Sequence, residues 1–333
     1  MFGLDIWQTA LFIFLVMLCI NYIWQITMDR LSEVVTTDDI YGVDKDGNVL
    51  EGFTDAVSSK EEWLNNEDLY DDFYASIYNK IFQHDKLVQA EAAMCLQDWQ
   101  KQMPKEEMRI LDVCSGSGVA TCYFAKQGVG SSVGLDKSPA MMRYAKSTVM
   151  PVTTLSPSQR DSIEWRQMDL IGAGAGTPAE FTHACMLYFT VYYFRDLETI
   201  FRNLALWVKP GGTLCIEVVN KHKFEPIPDV ANPWVAISPQ RFKKERITKA
   251  SAEFDKFEYE AEFDLEDPRA EFKETFRFKD GSTRRQKHVL WMPSINQIVE
   301  RASNAGWTYN KYMKLDMIGF NYGYLLYLTR NPE

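Results

Sequence analysis

The hydrophobic pattern changes character several times along the chain. Between Asp5 and Asp29 no charged residue occurs, and Ala10 to Ile20 is apolar without a break. The uncharged window from Ile6 to Met28 is long enough to cross a hydrocarbon core, which takes about 20 residues of helix. Trp7, Tyr22 and Trp24 stand near its ends, where amphipathic rings favour the headgroup level. The segment lacks the positive leader and small-residue cleavage site of a signal peptide, and it lacks the polar stripe of a helix packed on a soluble body. The pattern predicts one membrane helix over 6–28. Residues 29–72 hold fourteen acidic and three basic side chains, and a solvated acidic linker is expected over 29–68.

From Leu69 the period becomes helical. Leu69, Phe73, Ile77 and Ile81 recur at four-residue spacing, with Tyr70, Tyr74 and Tyr78 on an adjacent stripe. A second helix is expected over about 85–100, before Pro104. From Met108 strands and helices alternate: MRILDVC, then VATCYFAKQ; SSVGLD, then SPAMMRYAKSTV; IEWRQMDL; FTHACMLYF, then DLETIFRNLALWV; and GTLCIEVV. That rhythm predicts an α/β fold with a Rossmann-like, doubly wound, mostly parallel sheet. FEYEAEFDL and AEFKETFRF instead alternate with period two, and Asp280-Gly281 is a hairpin signal, so 221–291 reads as an antiparallel β insertion. A helix at about 294–305 and a final pair of strands, around 308–317 and 322–330, complete one domain made of 69–220 and 292–333.

Composition narrows the functions. A length of 333 residues suits one α/β domain with extensions. The net charge of -10 disfavours nucleic acid as the main partner, because polyanion binding rests on a basic excess. Six cysteines form no CxxC pair and only four histidines are present, which disfavours structural zinc and suggests reduced, apolar thiols.

LDVCSGSG is the most informative stretch. A strand, a glycine turn and a helix bring backbone N–H groups close to a ligand. Asp136 ends the second strand 20 residues after Gly116, where a carboxylate can accept both hydroxyls of a ribose. Asp169 is expected at the end of the third strand, facing an adenine amino group. In this order the motifs LDVCSGSG, VGLDKSPAMMRYA, MDL and LWVKPGGTLCIEVV resemble the class I S-adenosylmethionine-dependent methyltransferases over about residues 105–220.

The resemblance implies S-adenosyl-L-methionine as cofactor. It implies that Asp112 and the turn Cys114–Gly118, with Gly116 and Gly118, face the methionine end. Asp136 and Lys137 would hold the ribose, Met141 would line the pocket, and Met168 with Asp169 would frame the adenine. Leu187 to Thr190 would sit by the sulfonium, and Tyr74 and Tyr78 would close over the methionine as in small-molecule methyltransferases. The family usually has glycine where Cys114 stands.

The acceptor side is less legible. Tyr188, Tyr192 and Tyr193 follow the fourth strand and His222 follows the fifth; Tyr192 and His222 are the residues put forward for proton removal. The insertion is expected on the acceptor side, and its basic runs RFKKERITK and TRRQKH read mainly as solvated surface. The expectation is a methyltransferase acting on a small-molecule or lipid-like acceptor at a membrane, single-pass, with its catalytic domain in the cytosol. Two other readings are a non-catalytic membrane-tethered scaffold and a nicotinamide-dependent oxidoreductase. The second fits less well, since Gly-x-Gly-x-x-Gly would need glycine where Thr121 stands.

Overall fold

The structure, a computed structural model, describes residues 63–82, 84–172, 176–224, 249–254, 257–318, 320 and 322–332. The expected membrane helix over 6–28, and the linker up to residue 62, lie outside the described residues. Among the described residues no helix is long and apolar enough to cross a membrane.

Helix α1, Asp72–Phe82, starts where the Asp71 carboxylate accepts the Tyr74 N–H at 3.0 Å, a side-chain cap. The four-residue stripe of Phe73, Ile77 and Ile81 is buried, as its spacing requires. Helix α2, His84–Trp99, follows.

Seven strands build the main sheet: β1 Arg109–Val113, β2 Ser131–Asp136, β3 Ile163–Gln167, β4 Phe181–Met186, β5 Val208–Val219 and, after the insertion, β10 Trp307–Lys314 and β11 Gly323–Arg330. Their order is β10-β11-β5-β4-β1-β2-β3, with β1 to β5 parallel and β11 antiparallel to both of its neighbours. β1, β2 and β4 are buried almost throughout, which explains their unbroken apolar runs. The chain winds outward from β1 through β2 to β3 and then returns to β4 on the other side. Ligands in such sheets bind at that reversal, beyond the carboxyl ends of the strands. Helices α3 Val119–Lys126, α4 Pro139–Tyr144, α5 Leu197–Trp207 and α6 Ile295–Asn304 accompany the sheet. At the opposite ends of the strands Arg109 and Arg166 share Glu164 and Glu180, cross-linking β1, β3 and the entry to β4.

Two boundaries differ from expectation. β3 ends at Gln167, so Asp169 lies two residues beyond the strand. The Lys209–Gly212 turn is a bulge inside the β4–β5 ladder, whose pairing jumps from Phe181–Val208 to His183–Thr213.

The insertion is a separate antiparallel sheet of β6 Lys249–Glu253, β7 Phe257–Glu266, β8 Arg269–Phe278 and β9 Thr283–Trp291, paired in that order. Asp280 accepts the Ser282 N–H at 2.8 Å in the β8–β9 hairpin, where Gly281 has φ +90°. Residues 63–68 correct the expectation of a solvated linker. Leu64 pairs with the outer edge of β9, its N–H donating to Arg285 O and its carbonyl accepting from Lys287 N at 3.1 and 2.9 Å. The Asn66 amide binds both backbone groups of Val289. An edge strand left open carries unpaired backbone groups, and this segment satisfies them.

Candidate active site

A cavity of about 470 Å³ opens at the reversal point, above the carboxyl ends of β1, β2 and β4. Its donor half is built by the β1–α3 turn. Cys114, Gly116 and Gly118 have φ of 54°, 52° and 76°, so three residues in five adopt the left-handed conformation. A Cβ added at Gly116 would meet nothing within 4 Å and would project into space bordered by the cavity, whereas one at Gly118 would strike the Trp165 ring at 2.4 Å. Gly116 thus leaves room for a ligand and Gly118 leaves room for the core. Cys114 keeps a glycine-like conformation while carrying a side chain, at a cost of about 1–2 kcal/mol.

Asp136 ties this turn to β2. Its carboxylate accepts the Gly116 N–H and the Ser138 N–H, both at 2.8 Å. A carboxylate offers about four lone-pair sites, so acceptor capacity remains for two hydroxyls. Burial raises its pKa, and these backbone donors pull against that. Asp112 is pushed up to about 7 by burial, opposed by the Thr121 hydroxyl, which donates to it at 2.6 Å. Burial and the nearby carboxylates of Asp136, Asp112 and Asp169 raise the Cys114 thiol, keeping it protonated and unreactive.

Asp112, Cys114, Gly116, Asp136, Lys137, Met141, Met168, Asp169, Leu187 and Tyr78 all line the cavity. The Asp169 carboxylate also accepts the Ile171 N–H at 3.0 Å, closing its own turn. Gly118 sits behind the lining as the first residue of the α3 cap.

Three expected residues lie elsewhere. Tyr74 is buried away from the cavity, its hydroxyl donating to Glu274 at 2.8 Å. The one-turn helix Thr190–Tyr193 sends successive side chains in different directions, so Tyr192 points at Val219, accepting its N–H at 2.8 Å. His222 is exposed past β5 and does not reach the lining. Neither Tyr192 nor His222 lines the cavity.

The acceptor half holds a constellation that the sequence reading passed over. Tyr70, Tyr188, Tyr193 and Phe194 form an aromatic wall. Behind it, fully buried Glu274 on β8 accepts from Tyr74, Tyr259 and Gln286 and lies against Nε2 of His288, all at 2.7–2.8 Å. Burial would raise this carboxyl, but His288 and the other donors bring it below its ordinary range. The other ring nitrogen of His288, Nδ1, lies 2.7 Å from the Tyr193 hydroxyl, and Tyr70 donates to that same hydroxyl at 3.0 Å. The signal was present in the strand period. Arg284, Gln286, His288 and Leu290 alternate onto the buried face of β9, and the Asp280-Gly281 hairpin sets Glu274 opposite Gln286. TRRQKH looks like surface only when its charges are counted without its register.

Residues 110–212 match the model of a methyltransferase domain. No curated protein matches the chain in sequence. In fold it is similar to the amino pentose methyltransferase of calicheamicin biosynthesis from Micromonospora echinaspora, solved with S-adenosylmethionine bound. That pair is 17% identical with a TM-score of 0.51, over 73% of this chain and 92% of the other. It is similar also to a methyltransferase of Streptomyces caelestis, 13% identical with a TM-score of 0.56, over 80% and 100% of the two chains. An S-adenosylmethionine-dependent methyltransferase from Clostridium acetobutylicum gives 13% identity and a TM-score of 0.55, over 78% and 98%. With its strand order, its glycine turn and the methyltransferase-domain match over residues 110–212, the chain has a Rossmann-like α/β methyltransferase fold, the fold on which the Micromonospora relative holds S-adenosylmethionine.

Proposed function

We propose that the protein transfers a methyl group from S-adenosylmethionine to a small-molecule acceptor bound against the aromatic wall. The observation that carries this reading is the pairing of the Gly116 turn with the Asp136 carboxylate on one side of a partly open cavity, with tyrosines on the other. S-adenosylmethionine supplies an electrophilic methyl on a positive sulfur. Asp136 and Lys137 are suited to the ribose, Met168 and Asp169 to the adenine, and Asp112 with the Cys114–Gly116 backbone to the methionine moiety. Leu187 and Tyr78 would exclude water at the reacting end, where positioning and a dry cavity lower the barrier. The amino pentose named for the Micromonospora enzyme is consistent with a small polar acceptor. The apolar window at 6–28 favours a membrane position and admits a lipid-like acceptor; carbonate extraction of the full-length chain tests this, and release into the soluble fraction would refute it.

The test is calorimetry with S-adenosylhomocysteine, followed by transfer of labelled methyl into fractionated cell extract. Label confined to small molecules is the expected result, and label only in protein or RNA would reject the reading. Binding of a reduced nicotinamide nucleotide instead would favour the oxidoreductase, and binding without turnover would favour the scaffold.

A further inference from the structure

We infer that Tyr193, His288 and Glu274 form a proton relay that serves an acceptor hydroxyl, so that the substrate is methylated on oxygen. The inference rests on the methyl-transfer reading above.

The geometry has a direction. Three donors other than His288, from Tyr74, Tyr259 and Gln286, reach the two oxygens of Glu274, which has no exposure to solvent, and hold it as an anion that only accepts. His288, buried at 2% exposure, therefore presents Nε2–H to Glu274 at 2.7 Å. A neutral imidazole with its proton on Nε2 has a bare lone pair on Nδ1. That lone pair faces the Tyr193 hydroxyl at 2.7 Å. Tyr70 donates to the Tyr193 oxygen at 3.0 Å, which leaves the Tyr193 proton directed at His288 and one lone pair of the phenol open toward the cavity it lines. A network built only to join the insertion to α1 would be complete with Tyr74, Tyr259 and Gln286 on the carboxylate. It would not need a histidine carrying the chain on to a phenol in the cavity wall.

The step balances without any further reagent. A lone pair of the acceptor oxygen forms the bond to the methyl carbon, and the carbon–sulfur bond breaks with its electron pair moving to sulfur, which becomes neutral. The acceptor's proton passes to the Tyr193 oxygen as the Tyr193 proton passes to Nδ1. The resulting imidazolium is held against the Glu274 carboxylate. Tyr193 touches the acceptor, whereas His288 and Glu274 act through it and are positioning residues. An amine acceptor can bind as its free base and release its proton afterwards, so it has less use for a base fixed in the wall.

The test uses the full-length chain with labelled S-adenosylmethionine and two probe sets: phenol, catechol, methyl glucoside and octanol, and beside them aniline and octylamine. We expect transfer to at least one hydroxyl probe. His288→Asn, which can still accept from Tyr193 but is not basic, should lower kcat on that probe about 100-fold, within the range of general acid–base catalysis. Its affinity for S-adenosylhomocysteine should stay within twofold, and the pH profile of its rate should differ from that of the wild type. Tyr193→Phe should show the same loss. Nitrogen NMR of the four histidines in the wild-type chain supplies an independent reading: the neutral His288 ring should carry its proton on Nε2 and leave Nδ1 bare. A protonated Nδ1, unchanged kcat and pH profile in both variants, or transfer to amines alone would overturn the relay. Transfer to amines would leave the methyl-transfer reading intact, binding of S-adenosylhomocysteine with no transfer to any probe would sink both, and failure to bind it would sink the cofactor assignment.

Discussion

The Asp136 carboxylate accepts the Gly116 N–H at 2.8 Å, so the end of β2 and the turn after β1 are held as one surface. Asp136→Ala removes the acceptor for both the Gly116 and Ser138 N–H groups, together with the charge. Hydrogen bonds to charged groups are worth about 1.5–3 kcal/mol each, and about 1.4 kcal/mol is a factor of ten in affinity. Binding of S-adenosylhomocysteine should weaken by roughly 100-fold in calorimetry. A change under threefold would mean that Asp136 does not hold the ribose.

Two glycines in the same turn should fail differently when replaced by alanine. Gly118→Ala drives a Cβ into Trp165 at 2.4 Å and into the Ala145 Cβ at 2.9 Å, at φ +76°. Left-handed strain of about 1–2 kcal/mol and overpacking of about 1–3 kcal/mol should add, giving a clear loss of Tm. Gly116→Ala meets no atom, so it should cost only the strain and yet weaken cofactor binding at least tenfold, since Gly116 lines the cavity proposed to hold the cofactor. Thermal unfolding beside calorimetry separates the two, and equal effects on both readouts would contradict the assignment.

Glu91 on α2 and Glu217 on β5 are both fully buried, and burial raises both carboxyls, Glu217 to about 7. An acid whose pKa is raised on folding holds its proton more tightly in the folded state. Stability from that group is complete below the unfolded value of 4.5 and is lost as pH rises through about 7. Glu217→Gln keeps an acceptor for the Phe189 N–H, which donates to Glu217 at 2.9 Å, and cannot ionise. The variant should gain several degrees of Tm at pH 8 and little at pH 4.5. A wild-type Tm that does not fall more steeply than the variant's between these pH values would refute the buried acid pair.

Arg284 clamps α1 to the insertion. Its guanidinium donates to Asp71 at 2.6 Å, to the Leu69 carbonyl at 3.0 Å and to Gln286 at 2.8 Å, and only 4% of its side chain is exposed. Breaking a fully buried pair costs about 3–5 kcal/mol; Asp71 is about one-third exposed and can rehydrate, so Arg284→Met should cost about 2–3 kcal/mol. Urea unfolding measures this. A cost below about 0.5 kcal/mol would mean that the clamp does not hold α1.

The donor half was legible because it depends on local rules. A strand, a left-handed turn and a helix start within ten residues, and Asp136 follows at a fixed distance, so order alone places them together. Cys114 shows how far that goes: the sequence marks it as a departure from glycine, while only the backbone shows that the left-handed conformation is kept. The acceptor half depends on contacts across long stretches of chain. Tyr193 meets His288 95 residues away, and Tyr74 meets Glu274 200 residues away. Helical spacing grouped Tyr70, Tyr74 and Tyr78 correctly, but only packing against β8 and β9 decides that Tyr70 and Tyr78 face the cavity and Tyr74 the carboxylate. Sequence alone does not rank Tyr192 against Tyr193, because a single turn of helix turns each successive side chain by about a third of a circle and nothing sets the phase of so short an element.

The strip of chain at 63–71 has a consequence for exchanging parts between proteins of this fold. It closes the free edge of β9 through Leu64 and Asn66, and Asp71 receives Arg284. The antiparallel sheet of the insertion and the strip that closes it are therefore inherited as two pieces of sequence some 180 residues apart that are only complete together. A graft of 249–291 alone would arrive with an open edge and an unmatched buried guanidinium, while one that also carries 63–71 would bring its own seam.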